Sequence, residues 1–136
     1  MRYKQFYAEL GKMLYALADI DGKIAPAEKR KLRELVRKEL VPAESHLDEY
    51  GTDTAYFTEI EFDYLEESIS DPSAAFESFL QYMEDHQTAL DHHLISVTRK
   101  VSAALAEAYH HTSKKEKVLL VRLNEKLDEL ERKIRK

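Results

Sequence analysis

The chain has 136 residues, no cysteine and a net charge of −5. This length suits one domain spanning residues 1–136, and the lack of cysteine excludes disulfides, thiol catalysis and cysteine-ligated zinc. No apolar run approaches the roughly 20 residues that span a bilayer. The start, MRYKQFYAELGKM, is too charged for a signal peptide. We therefore expect a cytoplasmic protein without membrane insertion.

Helical spacing dominates the first third of the chain. A first helix is predicted with an apolar face of Tyr3, Phe6, Tyr7, Leu10, Met13, Leu14 and Leu17. Pro26 suits the first turn of a second helix, and Val41-Pro42 ends it. The apolar face of that helix comprises Leu32, Leu35, Val36 and Leu40. Residues 44–53 are predicted to form a loop.

The segment TEIEFDY, residues 58–64, fits two structures. Its strict alternation of polar and apolar residues is typical of a half-buried strand. However, no second strand candidate exists to pair with it, and an isolated strand is not stable. Phe62, Leu65 and Ile69 also share one helical face. We therefore predict a helix here.

Three further helices are predicted towards the end of the chain. Asp71 caps the first, which has Phe76, Phe79, Leu80 and Met83 on its apolar face. The next carries Leu94, Thr98, Val101, Leu105 and Ala108. Ser113 and Glu116 form a capping box before the last, whose apolar residues Leu120, Leu123, Leu127, Leu130 and Ile134 follow heptad spacing. That helix either packs inside the domain or forms a homo-oligomer through residues 116–135.

An internal similarity appears when the chain is shifted by 88 residues. Ala16-Leu17-Ala18 then aligns with Ala104-Leu105-Ala106, and Glu28-Lys29 aligns with Glu116-Lys117. A helix, a short turn and a second helix therefore occur twice. The sequence predicts an all-α fold, a compact helical bundle of about six helices that contains two helix–turn–helix pairs.

The turn in the first pair, within ALADIDGKIAPAEKRKL, resembles a calcium loop. With Glu28 at position 12 of an EF-hand loop, Gly22 falls at position 6, Asp21 at 5 and Asp19 at 3. Position 1 is Leu17, which lacks a ligand oxygen, and Lys23 and the basic residues that follow would repel a cation. The same letters also suit a simple turn, with Gly22 ending the helix. A divalent-cation site at Asp19, Asp21 and Glu28 and a purely structural turn both remain open.

The stretch LYALADIDGKIAPAEKRKL also resembles the first helix–turn–helix of the tellurite-resistance TerB-like domain. The matching positions are Ala18, Asp21, Gly22, Ile24 and Glu28. The resemblance implies an all-α, non-enzymatic domain associated with tellurite and other stress responses. It also implies use as an adaptor, including in membrane-associated complexes, and metal ligands at Asp21 and Glu28 beside Asp19. The second pair departs from this pattern, because Tyr109-His110 replaces Asp-Gly.

Other candidate sites in the sequence are weaker. Glu107-x-x-His110 has the spacing of one half of a di-iron carboxylate site, but that site needs a second copy. Glu107 and His110 would join Asp19 and Asp21 in a mixed metal site only if the two turns were adjacent. No nucleophile motif or Gly-rich phosphate loop is present. We expect no catalytic residues and no cofactor beyond a possible divalent cation.

Charge is distributed unevenly along the chain. Residues 44–91 contain fourteen Asp or Glu and no Lys or Arg. Phosphates would be repelled here, so we expect no nucleic-acid partner. Either these acids form a solvated face or they dock a basic partner or a cation. The second reading predicts a non-enzymatic binding or scaffold module. Its contact residues would be Glu59, Glu61, Asp63, Glu66 and Glu67, with Tyr50, Tyr56 and Tyr64 among them.

Overall fold

The structure is a computed structural model that describes residues 3–20, 26–40, 56–68, 70–89, 92–107 and 114–134. Within these ranges there are six α-helices and no strand, which confirms the all-α prediction. The helices are α1 (Tyr3–Asp19), α2 (Pro26–Leu35), α3 (Phe57–Glu67), α4 (Pro72–Asp85), α5 (His92–Glu107) and α6 (Lys114–Ile134). A π-helical turn (Val36–Leu40) extends α2, and a 3₁₀ turn (Gln87–Ala89) follows α4.

Helix α1 is the centre of the bundle. It packs against α3, α4, α5 and α6, while α2 packs on α5. Six consecutive residues, 13–18, are all buried. A helix that is buried on every side must be apolar on every side, and the sequence MLYALA at these positions meets that requirement.

Helix α3 settles the ambiguous segment 58–64 in favour of the predicted helix. Its buried residues are Thr58, Phe62 and Leu65, at the spacing of one helical face. The apolar residues of the alternating pattern do not share that face: Phe62 points inward, whereas Ile60 and Tyr64 are exposed. The period-two alternation therefore reflected two opposite sides of a helix.

The start of α4 follows the predicted cap. Asp71 lies just before the helix in an extended conformation, and its Oδ1 accepts a hydrogen bond from the backbone N–H of Ser73 at 3.0 Å. Pro72 occupies the first turn, where its missing N–H costs nothing. Phe76, Phe79 and Met83 are buried from this helix.

The leucine stripe of α6 packs inside the domain. Leu123, Leu127 and Leu130 are buried, and α6 contacts α1, α4 and α5. Because these three leucines are buried in the folded domain, they cannot contact a second copy of the chain. On the α4 side, Arg122 forms an ion pair with Glu77 at 2.6 Å and lies over the ring of Phe76. Lys126 forms an ion pair with Glu84.

Several predictions fall outside the described residues. These are the turns at 21–25 and 108–113, the loop at 44–53 and the cap at Ser113. The helices on either side of both turns are present. Among the described helices, none combines the length and apolar character that a membrane crossing requires.

Candidate functional site

The inner side of α3 fixes this helix closely against α1. A Cβ atom added at Gly11 would lie 2.4 Å from the carbonyl oxygen of Thr58, so the two backbones approach within the space that a side chain would need. The Thr58 hydroxyl donates a hydrogen bond of 2.8 Å to the carbonyl of Tyr7. Phe62 meets Tyr15 edge to face, with ring centroids 6.0 Å apart. Helix α3 therefore has one defined rotation about its own axis.

That rotation divides the five predicted contact acids into three groups. Glu59 and Glu66 face α2, where Glu59 pairs with Arg33 at 3.1 Å and Glu66 pairs with Lys29 at 2.8 Å. Lys29 and Arg33 are one turn apart on α2, and the two ion pairs join α2 to α3. These two acids already have cationic partners within the chain.

The solvent side of α3 carries a second group. Ile60 and Tyr64 are one turn apart and remain 56% and 61% exposed. Asp63 is half-buried and Glu67 is exposed. Neither carboxylate forms an ion pair with another described residue. We call Ile60, Asp63, Tyr64 and Glu67 the α3 outer face.

Glu61 is the third group by itself, and its side chain lies beside a cleft between α3, α1 and α4. This cleft has a volume of about 330 Å³ and is lined by Gln5, Ala8, Glu9, Lys12, Glu61, Tyr82 and His86. Within the cleft, Lys12 is balanced by Glu9, whose carboxylate lies 2.9 Å from the ammonium group and also accepts a hydrogen bond from Ser78 at 3.2 Å. Among the described residues Glu61 has no such cation.

An aromatic pair forms one wall of this cleft. Tyr82 and His86 stack with ring centroids 4.2 Å apart. His86 Nδ1 lies 3.0 Å from the Tyr82 carbonyl. A carbonyl only accepts, so Nδ1 carries the proton and Nε2 is the acceptor of the neutral ring. Burial, followed by the charge of Glu9, raises the pKa of Tyr82, so its hydroxyl stays protonated at neutral pH.

The candidate metal ligands are placed only in part. Asp19 is the last residue of α1 and accepts a hydrogen bond of 3.0 Å from the Tyr15 hydroxyl. Glu107 is exposed at the end of α5. Asp21, His110 and the side chain of Glu28 lie outside the described residues. Among the residues that are described, no three His, Asp or Glu side chains group as metal ligands, so both metal sites stay predictions.

Tyr15 explains the position of Asp19 without a cation. Its ring is buried, and its hydroxyl lies 2.6 Å from the Ser70 carbonyl and 3.0 Å from Asp19 Oδ2. Both neighbours only accept, so one phenolic proton serves two oxygens. This arrangement ties the end of α1 to the connection between α3 and α4.

We expect Tyr15 to make stability fall at alkaline pH. Burial, and then the hydrogen bond and charge of Asp19, raise the pKa of Tyr15 to about 12. The unfolded chain loses this proton near pH 10, so the contribution is complete below pH 10 and is lost as pH rises to 12. The loss is at most about 2–3 kcal/mol of unfolding free energy. The pKa of Tyr82 is also raised, so the test is the size of the late step in tyrosinate absorbance. That step should lose one tyrosine in Tyr15→Phe and none in Tyr64→Phe; an unchanged late step in Tyr15→Phe would contradict this assignment.

The sequence points to the acids of α3 and to Tyr64 as candidate contacts, but Ile60 is not among them. Ile60 instead fits the alternating pattern of residues 58–64. Projecting residues 57–67 onto a helix places Ile60 opposite Phe62 and Leu65, which would have revealed its exposure. The pairing of Glu59 and Glu66 with α2 depends on how the helices pack, which no local pattern indicates.

Comparisons with known proteins identified no relative of this chain. A scan against protein-family models found no match, and neither the search of curated proteins nor the search of solved structures returned one. The TerB-like resemblance therefore remains a prediction that rests on residues 14–32.

Proposed function

We propose that this chain is a non-enzymatic protein-binding module that docks a basic partner segment on the α3 outer face. The observation that carries the proposal is the exposed pair Ile60 and Tyr64, flanked by Asp63 and Glu67, which no described residue neutralises. Isolated exposed apolar residues are common. An exposed tyrosine beside an isoleucine with acids at the rim has the composition of a small interface.

The charges of α3 support a cationic partner in particular. Its last turn has no basic residue and contains Glu66 and Glu67. Carboxylates at a helix C-terminus lie at the negative end of the helix dipole, which costs about 0.3–1 kcal/mol each at an exposed position. Lys29 offsets this cost for Glu66. A lysine or arginine of a partner would do the same for Glu67.

The cleft beside Glu61 extends the same surface. Glu61 and Tyr64 are three residues apart and so are neighbours on α3. A long basic side chain from the partner would reach Glu61 there and lie along the Tyr82–His86 stack, since cations bind aromatic faces. An adaptor role of this kind agrees with what the TerB-like resemblance implies.

A defined peptide tests the docking surface. The probe is a synthetic helical peptide with two leucines one turn apart, flanked by lysines, and a matched peptide has glutamates in place of the lysines. We expect only the lysine peptide to bind, and the double variant Asp63→Lys, Glu67→Lys to bind it at least about tenfold more weakly, a loss of about 1.4 kcal/mol or more. Fluorescence anisotropy of the labelled peptide measures both.

The control places the same charge change elsewhere. Asp85 and Glu107 are exposed on α4 and α5, and Asp85→Lys with Glu107→Lys alters the net charge by the same amount. Peptide affinity should fall little in this control. Equal losses in the two double variants would mean that net charge alone attracts the peptide, and the α3 outer face would then not be a docking site.

A further inference from the structure

A second exposed apolar pair lies on α6. The four large apolar side chains exposed among the described residues are Ile60 and Tyr64 on α3 and Val118 and Val121 on α6. Val118 and Val121 are 58% and 56% exposed and lie on the side of α6 opposite the buried leucines. The described part of the chain therefore presents two exposed apolar pairs, each on a different helix.

The surroundings of the α6 pair carry the opposite charge from those of the α3 outer face. Lys114 and Lys117 lie one turn before the valines, and both are exposed. Neither forms an ion pair with another described residue. We call Lys114, Lys117, Val118 and Val121 the α6 basic patch. Glu125, one turn beyond Val121, marks its end.

In both patches, the charged side chains interact unfavourably with the dipole of their own helix. Lys114 and Lys117 stand at the positive N-terminal end of α6, where acids are favoured. The one acid of that turn, Glu116, is only 2% exposed and does not contribute to the outer surface. Glu67 stands at the negative C-terminal end of α3. At the α6 basic patch, the lysines and the helix N-terminus are both positive. At the α3 outer face, the carboxylates and the helix C-terminus are both negative.

We propose that the α3 outer face of one copy binds the α6 basic patch of a second copy of this chain. This inference rests on the proposed function, because it names the occupant of the same α3 surface. An antiparallel alignment of the two helices brings Glu67 beside Lys114 and Ile60 beside Val121. It does so because both intervals are seven residues, about 10.5 Å of helix. Asp63 is then level with Val118 and Tyr64 with Lys117, so Asp63 lies one residue, about 1.5 Å along the axis, from the level of Lys117.

The contact joins two different surfaces, so it is heterologous. Such a contact leaves one α3 outer face and one α6 basic patch free at the ends of every dimer. Assembly then continues to larger species or closes into a ring. The patches are small, so we expect a weak association that depends on concentration and salt.

Sedimentation equilibrium over a range of protein concentrations tests this contact. The wild-type chain should show an average mass that rises above the 15.9 kDa monomer with concentration at low salt. The rise should disappear near 1 M salt, where the Debye length falls to about 3 Å from about 30 Å at 0.01 M. A wild-type chain that stays monomeric at low salt overturns the proposal.

Charge reversal identifies the surfaces. We expect Asp63→Lys with Glu67→Lys to be monomeric, and Lys114→Glu with Lys117→Glu to be monomeric as well. Glu67→Lys, Lys114→Glu and Lys117→Glu each improve the match between side-chain charge and helix dipole, so we expect both double variants to stay folded. An equimolar mixture of the two variants, and one chain that carries all four changes, should associate again.

The remaining outcomes separate this proposal from the proposed function. Association that survives reversal of Lys114 and Lys117, or that the four changes do not restore, overturns the heterologous contact. A monomeric wild-type chain that still binds the lysine peptide on the α3 outer face overturns the second copy as occupant and leaves the docking function in place. Failure of both experiments removes both proposals. Arg30→Glu with Arg132→Glu, two exposed positions outside the patches, is the matched control and should associate like the wild type.

Discussion

Truncation of Phe62 to alanine is expected to lower the free energy of unfolding by about 3–5 kcal/mol. Phe62 is fully buried on the inner face of α3 and meets Tyr15 of α1 edge to face. Its removal leaves a cavity between two rigid helices and also deletes an aromatic pair worth about 0.5–1.5 kcal/mol beyond its buried area. Urea denaturation followed by circular dichroism measures the loss as a lower midpoint at constant slope.

Tyr64→Ala is the matched control for Phe62. It removes an aromatic side chain two residues away on the same helix, but from the exposed side. Surface substitutions of this kind usually change stability by no more than about 0.5 kcal/mol. Similar losses in the two variants would mean that α3 is not rotated about its axis as described, and the assignment of its outer face would be wrong.

Gly11→Ala is expected to lower the free energy of unfolding by about 1–3 kcal/mol, although alanine is the better helix former. The added Cβ would lie 2.4 Å from the Thr58 carbonyl oxygen and 3.2 Å from its carbon. These are backbone atoms of another helix, so α3 must move as a whole to make room. The hydrogen bond from Thr58 to Tyr7 would lengthen as it moves. The urea midpoint of the variant gives the size of the effect.

Ala103→Gly supplies the reference for helix propensity. Ala103 is exposed in the interior of α5, where this exchange should cost about 1 kcal/mol. If propensity alone governed position 11, Gly11→Ala would be stabilising by the same amount. A stabilised Gly11→Ala variant would show that α1 and α3 are not in close contact at this point.

The helical bundle could be predicted from the sequence because its helices obey local rules. Asp71 and Pro72 mark the start of α4 by their own chemistry, and the leucines of α6 define a face whatever it packs against. For segment 58–64 the local pattern alone did not distinguish helix from strand. The lack of a second strand candidate favoured the helix. The close contact at Gly11 could not be predicted, because a glycine inside a helix does not indicate which other backbone approaches it.

Of the candidate site, the acidic charge and Tyr64 could be predicted from the sequence, whereas the partners of the acids could not. The acids of α3 were recognised as a group, but Glu59 and Glu66 are held by Arg33 and Lys29, more than 25 residues away in sequence. Such pairs depend on tertiary packing. The exposure of Val118 and Val121 likewise follows from the side of α6 that meets the core.

Site-specific photo-crosslinking tests the docking surface most directly. A photoreactive phenylalanine analogue is placed at position 64 and, as a control, at exposed position 103, and the chain is irradiated in cells that express it. We predict a discrete protein adduct from position 64 that is absent from position 103. The adduct should disappear when Asp63 and Glu67 are changed to lysine. The same adducts from both positions, or an adduct at 64 that survives the charge reversal, would contradict a partner-binding role for the α3 outer face.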